Sequence, residues 1–557
     1  MLLTRLVVCF LPFYTLLDIF YSKELKVNIP LPILKKATLT TALTLLFGAS
    51  SASAMPPPLY EYFQGQHGNF EQTSGKVVAT YIANWGNPDN IDNVNGDNLT
   101  HILYAFLDIC GPNERPTMAE ICANKPDYTL AENATSIDKT FAAKFAELKA
   151  KYPHVKVLPS VGGWGGEGPF APMAMNPENR QFFVNAVVEY VKQNPSFDGI
   201  DIDWEWPRDT AEGDAYADLM IDLRAGLDAL SKETGRDYLV TSAIATAESY
   251  VSKVDYQRAE PAMDLIFLMT YDFYGGWSMN NVGHHTSLQP HEANLANGYG
   301  YGGAVAVQNM LNIGMPAEKL VLGVAKYARG WDGVTPSNLG TPLGGTATGK
   351  FPKPVQPWDE AGVATYSRVI TDIIGPEGMG IDGFEVRYDP SCDCHYAWRE
   401  SDGALVGFDH PRDVENKARF AVSNKLAGVF SWEYGQDNGD ILNAMNYGVD
   451  NYNHDFDTGP DAWNAEKVYQ KGDYVSFNHE IYMAQWWTKG EEPGNPYGPW
   501  LLQDLPMDME WSADKVYQVG DLVYYNGETY QAKWWTLNDV PGDEFGPWSL
   551  FLPLPAR

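Results

Sequence analysis

The stretch FDGIDIDWEWP, residues 197–207, places four carboxylates in an otherwise apolar segment. A segment this hydrophobic is expected to be buried, and a buried charge is costly unless it is paired, hydrogen-bonded or used in chemistry. Alternate side chains of a strand share a face. Asp201, Asp203 and Glu205 should therefore point together into the interior, whereas Asp198 points the other way and is interpreted as structural.

This stretch is one of eight apolar runs in the central part of the chain. Near-continuous apolar runs are typical of parallel strands buried on both faces, and helical patterns at 140–152 and 216–235 lie between some of them. Eight strand–helix units predict an α/β fold, the (β/α)8 TIM barrel, with catalytic residues at the carboxyl ends of its strands. The runs are 77–85, 99–107, 155–163, 197–205, 238–245, 264–272, 320–327 and 427–434.

The spacing of the runs also predicts the domain boundaries. About a hundred residues separate the seventh run from the eighth, far more than one helix requires. We therefore expect an α+β insertion at about 335–410, inside a catalytic barrel domain that covers 76–447. A linker over 448–461 should follow, because the composition changes there.

A repeat begins after the linker. The segments starting at Trp463 and Trp511 align with a constant offset of 48 residues. Two copies are too few for a solenoid, so they predict two independent all-β modules at 462–503 and 510–551. Each module carries a WW pair, and we expect one tryptophan of each pair in the module core and the other displayed to a ligand. The pairs are Trp486 with Trp487, and Trp534 with Trp535.

The first 54 residues read as an export leader. Lys35 and Lys36 precede an apolar stretch and the Ala52–Ser53–Ala54 cleavage pattern, which predicts a signal peptide at 35–54. Residues 1–34 are either an upstream mis-start of the reading frame or a membrane anchor. Secretion to the extracellular space is therefore expected.

Four cysteines lie beyond the leader. Because an exported protein permits disulfides, Cys110 and Cys122 are expected to pair. Cys392 and Cys394 form either a small disulfide or two free thiols. His284 and His285 are adjacent, but no further ligands accompany them, so we do not expect a metal there.

The charge restricts the possible partners. The chain has 557 residues and a net charge of −32. An acidic surface disfavours nucleic acid and anionic membranes, since both repel it. A neutral polymer remains possible, and the 17 tryptophans and 32 tyrosines could contact one.

The three inward-pointing acids Asp201, Asp203 and Glu205, here called the acidic ladder, have three interpretations. Closely spaced carboxylates cannot all ionise, so they share protons, and the outermost, Glu205, would stay protonated as a general acid. A metal site is conceivable, although the calcium-loop pattern requires a glycine where Trp206 stands. A purely structural ladder is the third possibility. Spacing favours acid catalysis without excluding the other two.

Five motifs together resemble family 18 glycoside hydrolases, the chitinases. DGIDIDWE (198–205) matches the DxxDxDxE signature of that family, and the resemblance covers about 76–447. The region between the seventh and eighth strands is similar to the insertion of bacterial chitinases, and the repeats resemble family 5/12 chitin-binding modules. The other motifs are SVGGW (160–164), MTYD (269–272), YARGW (327–331, with Ala328 in place of the usual glycine) and GVFSWEYGQD (428–437).

The resemblance implies a retaining, substrate-assisted mechanism. Glu205 would protonate the glycosidic oxygen while the acetamido oxygen of the substrate attacks C1. Asp203 would hold the acetamido N–H and stabilise the oxazolinium ion, and Asp201 would take up the displaced proton or charge. Tyr271 matches the residue that hydrogen-bonds the acetamido group.

The resemblance also implies a set of substrate-binding residues. Tyr81 and Ser160 match the residues that hydrogen-bond the deepest aspartate. Trp164 and Trp277 follow motif ends in loops, where an exposed aromatic ring can stack on a sugar. The remaining members are Asp272, Trp432, Met269, Tyr327, Arg329 and Phe106, which would line the pocket.

These observations predict a secreted chitinase that needs no metal or cofactor, acts as a monomer, and binds chitin and chito-oligosaccharides. The rivals are a non-catalytic chitin lectin, which would lack the terminal glutamate that is present here, and an endo-β-N-acetylglucosaminidase acting on glycoproteins. A purely adhesive surface protein is the third.

Overall fold

Eight parallel strands close into a barrel around the acidic stretch. The computed structural model describes residues 62–131, 137–353, 360–453 and, with short gaps, 463–550. The first barrel strand pairs with both the second and the eighth, which closes the barrel and confirms the predicted fold. The strands are β1 Val77–Ala83, β2 His101–Ile109, β3 Lys156–Gly162, β4 Gly199–Asp203, β5 Leu239–Ile244, β6 Leu265–Leu268, β7 Leu320–Ala325 and β8 Gly428–Trp432.

Helices cover the outside of the barrel. The longest begins where the Asp209 side chain accepts a hydrogen bond from the Glu212 N–H and ends at Gly235, whose φ of 72° suits a helix C-terminus. The helices are α1 Ile137–Lys151, α2 Pro177–Gln193, α3 Thr210–Thr234, α4 Gly303–Asn312, α5 Pro411–Ser423 and α6 Asp440–Gly448. Shorter ones are Ala119–Cys122, Phe170–Ala174, Glu248–Val251, Tyr256–Ala259, Glu292–Ala296 and Tyr366–Val369, which continues as a π-turn at Ile370–Ile374.

An antiparallel sheet lies between β7 and β8. Its first strand is Tyr327–Asp332, so the insertion starts before the expected position near residue 335. The reason is that β7 ends at Ala325 and the YARGW motif pairs with the last strand of the insertion. Cys392 and Cys394 form a disulfide in this region. The other strands are Gly349–Lys350, Val363–Thr365, Glu385–Asp389, Cys394–Arg399 and Ala404–Gly407.

The chain stays attached to the barrel beyond the last helix. Tyr452–Asn453 pair with Phe70–Glu71, so these two residues of the predicted linker belong to a β-ladder. The leader 1–54 and residues 454–461 lie outside the described part of the chain. Within the described ranges, none of the helices combines the length and apolarity needed to cross a bilayer.

Each repeat forms a small all-β unit. A two-stranded ladder accompanies a three-stranded antiparallel sheet, around a core that contains Tyr469 and Trp500 in one unit and Tyr517 and Trp548 in the other. The strands of the first unit are Val468–Tyr469, Tyr474–Phe477, Glu480–Ala484, Thr488–Lys489 and Trp500–Leu502. Those of the second are Val516–Tyr517, Leu522–Tyr525, Glu528–Ala532, Thr536–Leu537 and Trp548–Leu550.

A buried ion pair joins the insertion to the barrel. Lys417 on α5 lies 2.5 Å from Asp409, and their side chains are 1% and 0% exposed. Asp409 also accepts hydrogen bonds from the Ala325 N–H at the end of β7 and from the Thr286 hydroxyl, at 2.8 and 3.1 Å. One carboxylate therefore holds the ends of three segments together.

Replacing Lys417 should be strongly destabilising. Lys417→Met leaves the Asp409 charge buried without its cation, and loss of one partner of a buried pair costs about 3–5 kcal/mol. Urea unfolding followed by near-ultraviolet circular dichroism measures the change. Lys192→Met is the control, because its partner Glu233 is exposed and solvent screens that pair. Equal midpoints for the two variants would contradict the role of the buried pair.

Candidate active site

The acidic ladder lies at the carboxyl end of β4. Parallel pairing aligns Ser160 on β3 and Thr241 on β5 with Asp201 on β4, and aligned residues of a sheet share a face. Asp201 and Asp203 are buried, whereas Glu205 beyond the strand end is half-buried. The three acids thus rise from the barrel interior toward its open end.

Asp201 is fixed by three hydroxyl groups. Its carboxylate accepts hydrogen bonds from Ser160 Oγ and Thr241 Oγ1, both at 2.6 Å, and from Tyr81 Oη at 3.1 Å. Burial raises the pKa of Asp201, and the three donors act against that rise. The family resemblance of the motifs indicated Tyr81 and Ser160, but the sequence analysis missed Thr241. The sequence feature that could have indicated Thr241 is a hydroxyl residue in the largely apolar run YLVTSAIA.

Asp203 and Glu205 share their ionisation. Burial, followed by the charges of Glu205 and Asp201, raises the pKa of Asp203 well above its usual range. Burial together with the nearby carboxylates of Asp272 and Glu167 raises the pKa of Glu205 to about 8. Glu205 therefore carries a proton at neutral pH, as a general acid requires. The Oδ1 atom of Asp203 is buried and has no hydrogen-bond partner among the described residues.

A second carboxylate near Glu205 stays ionised. Arg329 binds Asp272 through two hydrogen bonds, 2.5 Å from Nε to Oδ1 and 2.7 Å from Nη2 to Oδ2, and Tyr327 Oη donates to Oδ1 at 2.7 Å. Burial raises the pKa of Asp272, but interactions with His285 and Arg329 outweigh it and hold that pKa below its usual range. The site thus contains one carboxyl poised to donate a proton and one held as an anion.

Aromatic rings form the floor and walls of the cleft. Trp432 at the end of β8 stacks on Phe106, with ring centroids 5.5 Å apart and planes 17° from parallel, and it contacts Tyr81. Tyr271 and Met269 are half-buried and pack on the cluster that contains these rings.

Exposed tryptophans continue the cleft outward. Trp164 is 75% exposed and Trp277 is 61% exposed, with the Arg329 guanidinium 4.7 Å from the Trp277 ring. Trp85, which the sequence interpretation missed, is 58% exposed beside Trp432. The feature that could have indicated Trp85 is its position just after the end of β1, which matches the position of Trp164 just after β3.

The histidine pair is mainly structural, although His285 also interacts with Asp272. His284 Nε2 contacts the backbone oxygens of His395 and Phe408, and His285 Nε2 contacts that of Tyr327. Asp198 is structural as well, since it pairs with Lys149 and Arg236 on the outside of the barrel.

Two clusters in the described ranges have metal-like spacing, and neither contains an acid of the ladder. One is Cys110, Glu114 and Cys122, whose two cysteines form a disulfide. The other is His395, His410 and Asp413.

The tryptophan pair of the first module differs from expectation. Trp486 and Trp487 are 49% and 58% exposed, so neither belongs to the core, and the expected division of the pair is wrong. The two residues follow the strand Glu480–Ala484 in a bend, where strand alternation no longer applies. Trp500 fills the core instead. Trp534 and Trp535 lie outside the described residues.

Comparison with known proteins assigns the family. Residues 77–437 match the glycosyl hydrolases family 18. The chain belongs to this family, which confirms the resemblance. Residues 462–501 and 510–549 each match carbohydrate-binding module family 5/12.

Individual relatives agree with this assignment. Chitinase A of Pseudoalteromonas piscicida is 38% identical over 435 residues, covering 67% of this chain and 52% of that protein. The chain therefore spans about half the length of this relative. A chitinase of Autographa californica nuclear polyhedrosis virus is 33% identical, over 67% of this chain and 72% of that protein. The solved chitinase of Bacillus thuringiensis has the same fold, with a TM-score of 0.59 and 22% identity over 74% of this chain and 76% of that chain.

The hydroxyls around Asp201 yield a prediction. Thr241→Val keeps the side-chain shape but removes one donor to a buried carboxylate, and a hydrogen bond to a charged group is worth about 1.5–3 kcal/mol. The rate of glycoside hydrolysis should fall about ten-fold or more. Ser242→Ala on the same strand is the control, because its hydroxyl donates to the backbone oxygen of Ile202. A wild-type rate in Thr241→Val would contradict a functional role for the three hydroxyls.

Proposed function

We propose that the chain is a secreted chitinase that hydrolyses the β-1,4 bonds between N-acetylglucosamine units of chitin. The observation that carries the proposal is the Glu205 carboxyl, whose pKa of about 8 keeps it protonated in an aromatic cleft of a family 18 barrel. The names of the curated relatives support chitin as the polymer, and so does the presence of two family 5/12 modules.

In the proposed mechanism Glu205 donates its proton to the glycosidic oxygen. The acetamido oxygen of the sugar attacks C1 from the opposite side, so that the configuration is retained after water opens the oxazolinium intermediate. The unpartnered Oδ1 of Asp203 is free to accept the acetamido N–H and to stabilise the positive charge that develops. Trp432 supports the sugar ring from below.

Secretion and the monomeric state belong to the same proposal. The signal-peptide pattern at 35–54 supports export, and the acidic net charge disfavours nucleic acid and anionic membranes as partners.

The Glu205→Gln variant tests the function. Glutamine cannot donate the proton, so release of soluble sugars from chitin should fall by several orders of magnitude, since general acid catalysis contributes about 10²–10⁴-fold and the leaving group is poor. Binding of chito-oligosaccharides should persist because the change is nearly isosteric. Product analysis by chromatography measures turnover, and calorimetry measures binding.

Three results would contradict this proposal or its mechanism. A variant that retains a tenth of the wild-type rate would place the acid elsewhere. A wild-type chain that binds chitin but releases no sugar would favour the lectin alternative. Efficient hydrolysis of unacetylated chitosan would instead point to a nucleophile on the protein, because that substrate has no acetamido group.

The tryptophan pairs of the two modules should anchor the chain on insoluble chitin. Flat aromatic faces suit sugar rings, and two sites on one chain gain avidity on one surface. Trp486→Ala combined with Trp487→Ala should weaken adsorption several-fold, and further changes at Trp534 and Trp535 should weaken it more. Hydrolysis of soluble oligosaccharides should not change. Val468→Ala, an exposed apolar position of the same module, is the control, and equal adsorption isotherms would contradict the anchoring role.

A further inference from the structure

A disulfide-closed loop follows β2 at the catalytic end of the barrel. The bond between Cys110 and Cys122 spans a sequence separation of 12 residues. One hydrogen bond lies within the loop, since the Gly111 N–H donates to Glu114 at 2.9 Å. A second joins the loop to the segment after it, since the Cys110 N–H donates to the Thr129 carbonyl at 2.9 Å. The loop is therefore fixed on both sides of the one arginine that it contains, Arg115.

Arg115 reaches from this loop to the glycine turn after β3, residues 162–166. Its Nε donates to Asp108 Oδ1 at 3.0 Å, and its Nη2 donates to the Gly162 carbonyl at 3.2 Å. Asp108 is 7% exposed and the Arg115 side chain is 28% exposed, so the ion pair is partly shielded from solvent. A Cβ at Gly166 would lie 2.9 Å from Nη2. The guanidinium therefore packs directly against the bare backbone of the turn.

The same glycine turn contacts the end of the strand that carries the acids. The Gly163 N–H donates to the main-chain carbonyl of Asp203 at 2.9 Å. The next residue of the turn is Trp164, whose backbone N–H lowers the pKa of Glu205. Gly162 and Gly163 have φ values of 112° and 73°, a conformation that side chains disfavour. The turn thus depends on glycine and connects Arg115 to the end of β4, two residues before Glu205.

We propose that Arg115 is a positioning residue for the catalytic acid: it holds the glycine turn against the end of β4, two residues before Glu205, and its guanidinium is a fixed positive charge near the acid. This inference rests on the proposed function and adds a residue that touches neither the substrate nor the reacting atoms. Its consequence is that the disulfide-closed loop sets the pH range in which Glu205 remains an acid.

Charges of both signs face Glu205. Burial comes first among the causes that raise its pKa, and the carboxylates of Asp272 and Glu167 follow, whereas Arg115 and the Trp164 N–H lower it. Glu167 belongs to the segment just after the turn, and its Oε2 is buried without a hydrogen-bond partner in the described ranges. The ionisable groups that face Glu205 are Asp203, Tyr271, Asp272, Glu167 and Arg115.

Two variants should move the pH dependence in opposite directions. Activity requires protonated Glu205, so it is lost as the pH rises through the pKa of that carboxyl. Arg115→Met removes a cation, so the pKa of Glu205 should rise. The alkaline limb of the pH profile of kcat/KM should therefore move to higher pH by about half a unit or more. Glu167→Gln removes an anion and should move that limb to lower pH. The measurement is a pH–rate profile on soluble chito-oligosaccharides.

Three further variants separate charge from hydrogen bonding. Arg115→Lys keeps the positive charge but loses the paired contacts with Asp108 and the Gly162 carbonyl. The alkaline limb of the pH profile should therefore stay near its wild-type position while the rate falls several-fold. Cys110→Ser with Cys122→Ser should shift the limb in the same direction as Arg115→Met, but less. Arg224→Met is the control. Arg224 is 20% exposed, compared with 28% for Arg115, and its partner Asp264 precedes β6 at the opposite end of the barrel.

A second measurement reads the ionisation of Glu205 without turnover. The carboxyl infrared band that disappears in Glu205→Gln gives the midpoint of its titration in each variant, and near-ultraviolet circular dichroism shows that each variant is folded. A higher midpoint in Arg115→Met and a lower one in Glu167→Gln support the proposal. An unchanged midpoint in Arg115→Met overturns it, even if the chain hydrolyses no chitin. Absence of hydrolysis by the wild type overturns only the proposed function.

Discussion

The cost of burying two carboxylates inside the barrel governs the rest of the site. Asp201 and Asp203 lie where water cannot solvate them, so each needs a partner or a proton. Three hydroxyls from β1, β3 and β5 satisfy Asp201. Asp203 has an oxygen without a hydrogen-bond partner among the described residues, and burial and the charges of Glu205 and Asp201 raise its pKa. Burial and the carboxylates of Asp272 and Glu167 keep the outer acid, Glu205, protonated near neutral pH.

Other buried charged side chains near the site and in the barrel are also paired. Asp272 is held as an anion by Arg329, and the Lys326–Asp437 and Lys417–Asp409 pairs are buried. The first two pairs join segments that are distant in sequence. Lys417 and Asp409 are close in sequence, but Asp409 also binds Ala325 and Thr286. The insertion also contributes to the site, because Tyr327 and Arg329, on its first strand, bind the Asp272 carboxylate near Glu205.

Aromatic surface links the proposed chemistry to the polymer. Trp85, Trp164 and Trp277 are more than half exposed around the cleft, and Trp486 and Trp487 are exposed on a separate module. Exposed tryptophan is costly in water, so its concentration at these places fits a ligand with flat apolar faces. An acidic chain with many such rings suits a neutral polysaccharide better than an anionic partner.

The sequence by itself determined the eight strands, the inward direction of Asp201, Asp203 and Glu205, and the two repeats, because apolar periodicity and motif spacing are local properties. Tertiary structure decided which residues meet from different strands. Thr241 beside Asp201, Trp85 beside Trp432, and Arg115 beneath the glycine turn depend on strand register and loop closure. The start of the insertion at Tyr327 and the exposure of both Trp486 and Trp487 depend on where strands end. These features arise from contacts between distant segments. Local patterns mark Thr241 and Trp85 as unusual residues, but they do not show which residues these side chains contact.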